Sequence, residues 1–153
     1  MSNVSFVPAM VAILPLLVIG KAAAADDIRP AMETANAQFL AAFNTPTPSA
    51  FPPLYSADSI LFFQGAAPVA GPEAIKQFWE SRIKLGVRDH TFDIIEAGVD
   101  GKYAFQVTKT TVQLVRDNGE KILIAGHTVR IFERQSDGTW KTKIHMYNRP
   151  SGP

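Results

Sequence analysis

Two side chains with acid/base potential, His127 and Lys109, are predicted to lie side by side on neighbouring strands. The turn Asp117-Asn118-Gly119 separates two strand-like segments, and a three-residue loop with glycine in the left-handed position sets their register. In that register Lys109 lies beside His127. The ammonium would depress the proton affinity of the imidazole, which could then act as a general base or donate a hydrogen bond to a ligand carbonyl or carboxylate. His127 is therefore the candidate catalytic residue, and the alternative is a histidine whose partners all lie within the core.

The terminal hairpin decides which way this histidine points. A short loop around Ser136 and Asp137 predicts that His127 lies opposite Met146 and that Val129 lies opposite Ile144. One face of this hairpin is then apolar, while the other is cationic. Burial favours the apolar face, so we expect it to lie against the helices, and we expect the opposite face, with His145 and Tyr147, to point outward. Members of the outward face are Thr128, Arg130, Phe132, Lys141, Lys143, His145 and Tyr147.

The apolar face and several aromatic side chains predict a ligand cavity with one polar end. Any of these aromatic residues could equally be plain core, although Tyr55 and Trp79 carry polar tips that need partners. Asn148, at the end of the last strand, is a candidate polar contact at the mouth. The candidate ligand-binding residues are Tyr55, Phe63, Trp79, Phe105, Lys109, Val129, Met146 and Asn148.

The sequence predicts neither a metal site nor a cofactor. The chain has no cysteine, and its three histidines, at 90, 127 and 145, lack the spacing of metal ligands. No glycine pattern resembles a phosphate-binding loop. The net charge of +1, without a basic run, gives no indication of nucleic-acid binding.

Helices are expected in the first half of the chain and long strands in the second. Asp27 can cap a helix that ends at the proline-rich segment after Asn44, and a short helical turn can precede Tyr55. Gly71-Pro72-Glu73 opens an amphipathic helix whose apolar stripe includes Phe78 and Trp79, and Gly86 ends it. Four strands are then predicted over residues 91–99, 102–116, 120–134 and 139–148.

The first 25 residues have the features of a secretory signal peptide. Residues 7–19 are almost wholly apolar, and Ala22 to Ala25 offer the small residues that a signal peptidase reads. The apolar run is shorter than a membrane-spanning helix needs, although retention as an anchor is the alternative. We expect residues 1–25 to be removed, residues 26–153 to form one domain, and the mature protein to be secreted or periplasmic without stable membrane insertion.

Several segments in this order resemble the nuclear transport factor 2-like superfamily, in its SnoaL-like and ketosteroid-isomerase-like branch. They are the helix end FLAAFN, the strand entry LYSADSILF, the helix GPEAIKQFW and the last hairpin GTWKTKIHMYN. The resemblance implies an α+β, cone-shaped fold with N-terminal helices packed on a curved antiparallel sheet. It also implies a pocket for an apolar ring compound, but the superfamily includes enzymes, ligand binders and assembly domains.

The catalytic groups of ketosteroid isomerase do not carry over to this chain. Alignment of the strand entry puts Phe63 or Gln64 where that enzyme has its carboxylate base, and alignment of the first helix puts Phe39 at its tyrosine. His127 falls nearest to the position of its protonated aspartate. Steroid isomerisation is therefore not expected.

Three functions remain open from the sequence. We favour the binding of a small hydrophobic or weakly acidic molecule by a homodimer that associates through the outer face of its sheet. The alternatives are an acid/base enzyme of the isomerase, dehydratase or cyclase type, with His127 as proton acceptor, and a dimeric assembly module without a ligand.

Overall fold

Two helices pack on one six-stranded sheet. The computed structural model describes residues 27–44 and 50–150, so the segment predicted to be a signal peptide lies outside the described residues. The helices are α1 (Arg29–Asn44) and α2 (Pro72–Lys84), with a single 3₁₀ turn at Pro52–Leu54. The strands are β1 (Tyr55–Phe63), β2 (Val69–Ala70), β3 (Val87–Asp100), β4 (Tyr103–Val115), β5 (Lys121–Arg134) and β6 (Trp140–Asn148). None of the helices in this part of the chain is long and apolar enough to span a membrane.

The helix boundaries follow the local signals in the sequence. The Asp27 carboxylate accepts a hydrogen bond from the Arg29 amide at 3.1 Å, which satisfies one free donor at the start of α1. Pro72 occupies the first turn of α2, and Glu73 lies at the positive end of its dipole. Gly86 ends the helix with a φ of 90°. A Cβ at Gly86 would lie 2.1 Å from the Val115 carbonyl oxygen, so both conformation and space require glycine there.

The strand order is β2-β1-β6-β5-β4-β3. Neighbouring strands are antiparallel except β1 and β6, which run parallel, so the sheet is mixed rather than wholly antiparallel. The predicted register of β4 and β5 is confirmed, with Lys109 opposite His127 and Phe105 opposite Ile131. The α+β architecture expected from the sequence is confirmed as well.

The predicted register and orientation of the last hairpin are wrong. Val129 pairs with Met146 instead of Ile144, and a bulge after Ile131 shifts the pairing again, so that Phe132 lies opposite Thr142. Phe132, Tyr147 and His145 are buried, whereas Met146 is 46% exposed. The apolar face therefore points away from the helices, and the face predicted to be outward covers the interior.

The helices close over this inward face. A cluster of buried side chains from α1, α2 and β1 surrounds Phe39, with Phe43 and Trp79 among its members. A second, smaller cluster joins Met32 of α1 to Ala104 and Phe132 of the sheet. At the other end of the sheet the helices leave a space uncovered, which forms the candidate site.

Candidate functional site

A cavity of about 1310 Å³ lies between α2 and the inward face of the sheet. Its apolar wall includes Phe63, Trp79, Val112, Leu114 and Ile124. The remaining wall carries polar groups from β3, β5 and β6, namely His90, Thr128, His145 and Tyr147. An apolar concavity with a few converging polar groups is the usual form of a small-molecule site.

A bulge in β3 turns His90 into this cavity. The pairing of β3 with β4 is irregular between Arg88 and Thr91, and Asp89 adopts a φ of 50°, which is rare for a residue other than glycine. The His90 ring packs 4.6 Å from that of Phe92 and 5.2 Å from that of Phe43, and its Nδ1 is buried without a partner. Burial, with a smaller contribution from the charge of Arg130, lowers the pKa of His90 to about 3.

A chain of hydrogen bonds fixes the tautomer of His145. Trp79 Nε1 donates to Tyr55 Oη at 3.0 Å, and Tyr55 Oη lies 3.0 Å from His145 Nδ1. We assign the Tyr55 proton to His145 Nδ1, because the buried phenol then both accepts and donates, and this assignment places the imidazole proton on Nε2. Burial and, to a smaller degree, the charges of Arg130 and His90 hold the pKa of His145 well below its usual value. His145 is thus a neutral hydrogen-bond donor at the cavity wall.

Behind the histidines lies a buried cation, Arg130, which is only 1% exposed. It donates to Asn36 Oδ1 of α1. With the Gln106 amide turned so that Oε1 faces the guanidinium, this oxygen also accepts from Arg130 Nε at 2.9 Å. The guanidinium lies 4.6 Å from the ring centre of Phe92 and 5.0 Å from that of Phe132. Burial lowers the pKa of Arg130 to about 10, so it remains charged at neutral pH, and in the described chain no carboxylate forms an ion pair with it.

Threonines form the centre of the inward face. Thr110 Oγ1 donates to Thr128 Oγ1 at 2.8 Å, which leaves the hydroxyl proton of Thr128 available to the cavity. Thr108 lies beside them, with its Oγ1 3.1 Å from that of Thr110. His145, Thr128 and Tyr147 can therefore all donate hydrogen bonds from the polar wall. This arrangement suits a ligand that carries oxygen acceptors.

Two of the candidate residues line the cavity, and a third lies behind its wall. Phe63 and Trp79 line it, and Tyr55 lies directly behind His145. His127, Phe105, Lys109, Met146 and Asn148 are exposed on the other side of the sheet or at its end, and Val129 is half-buried there. The expectation that these six residues line the cavity is wrong, because the even-numbered side chains of β4 and β5 face the helices and the odd-numbered ones face away.

The sequence analysis missed His90, His145, Thr128 and Arg130 as interior groups. A signal was present, since the confirmed register sets Gln106 opposite Arg130 and Thr108 opposite Thr128. Neutral threonine and glutamine side chains in succession are untypical of a solvated strand face, which usually carries lysine and glutamate. His90 had no such signal, because the bulge that directs it inward was not predicted.

The described residues contain no group of histidine and acidic side chains that could hold a metal ion. They also place no carboxylate inside the cavity, and Asp117 lies at its rim. Both interior histidines are weak bases because their pKa values are low. The polar groups of this site can therefore form hydrogen bonds to a ligand, with the positive charge of Arg130 nearby.

Residues 36–142 match the model of the SnoaL-like domain family, which covers most of the chain. The chain therefore belongs to this family of the nuclear transport factor 2-like superfamily, and its fold is the cone-shaped α+β fold of that superfamily. No curated protein matches the sequence.

Solved structures share the fold at low sequence identity. A protein of unknown function from Mycobacterium tuberculosis has a TM-score of 0.72 at 20% identity, over 81% of this chain and 72% of that one. A ketosteroid isomerase-like protein from Erwinia carotovora has a TM-score of 0.71 at 20% identity, over 83% and 99%. A nuclear transport factor 2-like protein from Salmonella enterica has a TM-score of 0.69 at 14% identity, over 82% and 92%. These likenesses establish the fold only.

The buried histidines predict a loss of stability in mild acid. His90 is neutral in the folded chain because its pKa is about 3, whereas in the unfolded chain it is protonated below about pH 6.5. The unfolded state therefore binds more protons, and the free energy of unfolding should fall by about 2 kcal/mol between pH 7 and pH 5 from His90 alone. His145 acts in the same direction.

Urea denaturation at a series of pH values measures this effect. The variant His90→Phe should show a smaller fall between pH 7 and pH 5 than the wild type. The range from pH 8 to pH 9 is the internal control, because both buried imidazoles are almost wholly neutral there in the folded and the unfolded state. An unchanged pH dependence in His90→Phe would contradict the assignment of His90 as a buried neutral group.

Proposed function

We propose that this protein binds a small hydrophobic or weakly acidic molecule in the cavity between α2 and the sheet. The observation that carries the proposal is the cavity itself, with its aromatic wall and its hydrogen-bond donors His145 and Thr128. A volume of about 1310 Å³ lies somewhat above the usual range for small-molecule sites, which suits a ligand of two or more rings. The family contains both binders and enzymes, and the lack of an interior base favours binding.

A neutral fluorescent probe tests ligand binding. N-phenyl-1-naphthylamine should bind with an increase in fluorescence, because it fits an apolar cavity and becomes shielded from water. Ile124→Trp, which fills space in the cavity, should weaken binding by about tenfold. Leu123→Trp is the matched control, since Leu123 is 68% exposed on the opposite face of the same strand.

Retention of full affinity in Ile124→Trp, or the absence of any probe binding in the wild type, would contradict the proposal. His127→Ala should bind the probe as the wild type does, because His127 is exposed on the outside of the sheet. The acid/base mechanism based on His127 has no support from this position.

We also propose that the protein forms a homodimer through the outward side of the sheet, here called the outer face. The outer face consists of Phe105, Val107, Val129, Ile131, Ile144 and Met146. Met146 and Phe105 are 46% and 37% exposed. A second copy of the chain would shield this apolar surface from water. Phe132 and Tyr147, which the sequence placed on the outward face, are buried and take no part in this interface.

Sedimentation velocity tests the dimer. The wild type should sediment as a dimer at micromolar concentration, and Met146→Lys should shift it to the monomer, because an ammonium would be buried in an apolar interface. Gln77→Lys, at an exposed position of α2, is the control and should remain dimeric. A monomeric wild type at these concentrations would be evidence against the interface.

Export is the third proposal, and it rests on residues 1–25. The apolar run followed by Ala22 to Ala25 supports removal of a signal peptide before Asp26. Expression of the full chain in a bacterial host should yield a mature protein that begins at Asp26, as measured by intact mass. Recovery of the full-length chain alone would contradict cleavage.

A further inference from the structure

The mouth of the cavity carries five cationic side chains and one carboxylate. The carboxylate is Asp117, and the cations are Arg82, Lys84, Arg88, Arg116 and Arg149. Such an excess of one sign at a concave site raises the local concentration of ligands of the opposite sign. It does not by itself identify a binding residue, because some of these cations are already engaged within the protein.

Two of the arginines have partners. Arg88 Nη1 donates to the carbonyl oxygens of Ile83 and Val87, at 2.6 and 2.8 Å. Arg116 forms an ion pair with Glu120 at 3.0 Å. Both side chains satisfy main-chain or carboxylate acceptors, so they are less available to a ligand.

Arg82 differs from the others in its surroundings. Its guanidinium carbon lies 4.7 Å from the ring centre of Phe63 and 4.8 Å from that of Phe78, so two aromatic rings hold it in place. Its Nε is buried without a hydrogen-bond partner. Within the described residues no acceptor and no carboxylate engages this guanidinium. The Nε of this half-buried side chain has therefore lost water without gaining a partner, which is costly for a donor on a charged group.

The position of Arg82 in the last turn of α2 explains only part of this arrangement. A cation there interacts favourably with the helix dipole, as Lys84 also does. The dipole accounts for the sign of the charge, but it leaves the buried donor unsatisfied and does not require two aromatic rings beside it. A planar guanidinium held in a fixed orientation at a cavity wall is suited to bind an anionic oxygen group.

The interior of the cavity does not compete for the acidic group of a ligand. His90 and His145 are neutral, and Arg130 lies behind them with the neutral amides of Asn36 and Gln106 as partners. The aromatic wall beside Phe63 and Trp79 can take up an apolar body. The free charge and the apolar wall therefore lie at adjoining parts of the same cavity.

We propose that Arg82 is the anion-binding residue of this cavity, and that the ligand is an aromatic or alicyclic organic acid whose carboxylate or similar oxyanion binds Arg82 while its apolar body lies against Phe63 and Trp79. This inference rests on the proposed ligand-binding function and narrows it to one chemical class. It also fixes the orientation of the ligand, with the acid group at the mouth.

Two probes that differ only in an acid group test this inference. They are N-phenyl-1-naphthylamine, which is neutral, and 8-anilinonaphthalene-1-sulfonate, which has the same skeleton with one sulfonate. The wild type should bind the sulfonate about tenfold more tightly than the neutral probe. Ile124→Trp should weaken both, which distinguishes cavity binding from adsorption on the outer face.

The variant Arg82→Gln tests the anion-binding role of Arg82 separately from ligand binding by the cavity. It should weaken sulfonate binding by about tenfold and change the affinity for the neutral probe by less than about twofold. Lys84→Gln is the matched control, because it removes one positive charge from the same mouth but from a side chain without aromatic neighbours. It should weaken sulfonate binding by less than about threefold.

The outcomes are distinct. If the neutral probe binds but the sulfonate binds no more tightly, the role of Arg82 is wrong and ligand binding stands. If Lys84→Gln weakens sulfonate binding as much as Arg82→Gln does, the overall positive charge of the mouth explains the affinity without a specific contact. The role of Arg82 is then also wrong. Equal losses for both probes in Arg82→Gln would identify a structural residue. Binding of neither probe would contradict both the inference and the proposed function.

Discussion

The buried guanidinium of Arg130 is the constraint around which the interior is arranged. A charge removed from water is stabilised only if each of its donors finds a partner, and here the partners are neutral amides of α1 and β4 rather than a carboxylate. These contacts tie the first helix to the sheet. They also leave the charge uncompensated, so it disfavours protonation of His90 and His145. Burial is the larger cause of the neutral state of both histidines, and the charge of Arg130 acts in the same direction.

The sheet carries polar side chains on its buried face and apolar side chains on its outward face, which is the reverse of the usual arrangement. Thr108, Thr110 and Thr128 are fully buried, while Phe105 and Met146 are exposed. The inward face needs polar groups because it forms the wall of a cavity, and it satisfies them through hydrogen bonds between threonines. In our proposal the apolar outer face is covered by a second copy of the chain. Both faces are then shielded, one by helices and ligand, the other by protein.

The sequence was sufficient to predict the helices and the four long strands, although β3 begins at Val87 rather than at residue 91. Pro72, Gly86 and the turn at Asn118-Gly119 act through backbone conformation alone, and the β4–β5 register follows from that turn. The orientation of the hairpin was predicted wrongly because the rule that apolar residues lie inside assumes that only one face is shielded from water. The bulges after Ile131 and around Asp89 depend on tertiary packing, so the inward position of His90 had no local signal. The sequence therefore indicated which residue types form the site, but it did not indicate on which side of the sheet they lie.

The protonation of the interior imidazoles tests this account most directly. Nitrogen-15 NMR of the histidine rings at pH 5.5 should show His90 and His145 uncharged, with the proton of His145 on Nε2, as follows from the assignment of Tyr55 as the donor to Nδ1. Assignment through His90→Phe and His145→Asn identifies the two signals. Charged rings for both residues at pH 5.5 would show that they lie in water rather than beside a buried cation, and the proposed interior would be incorrect.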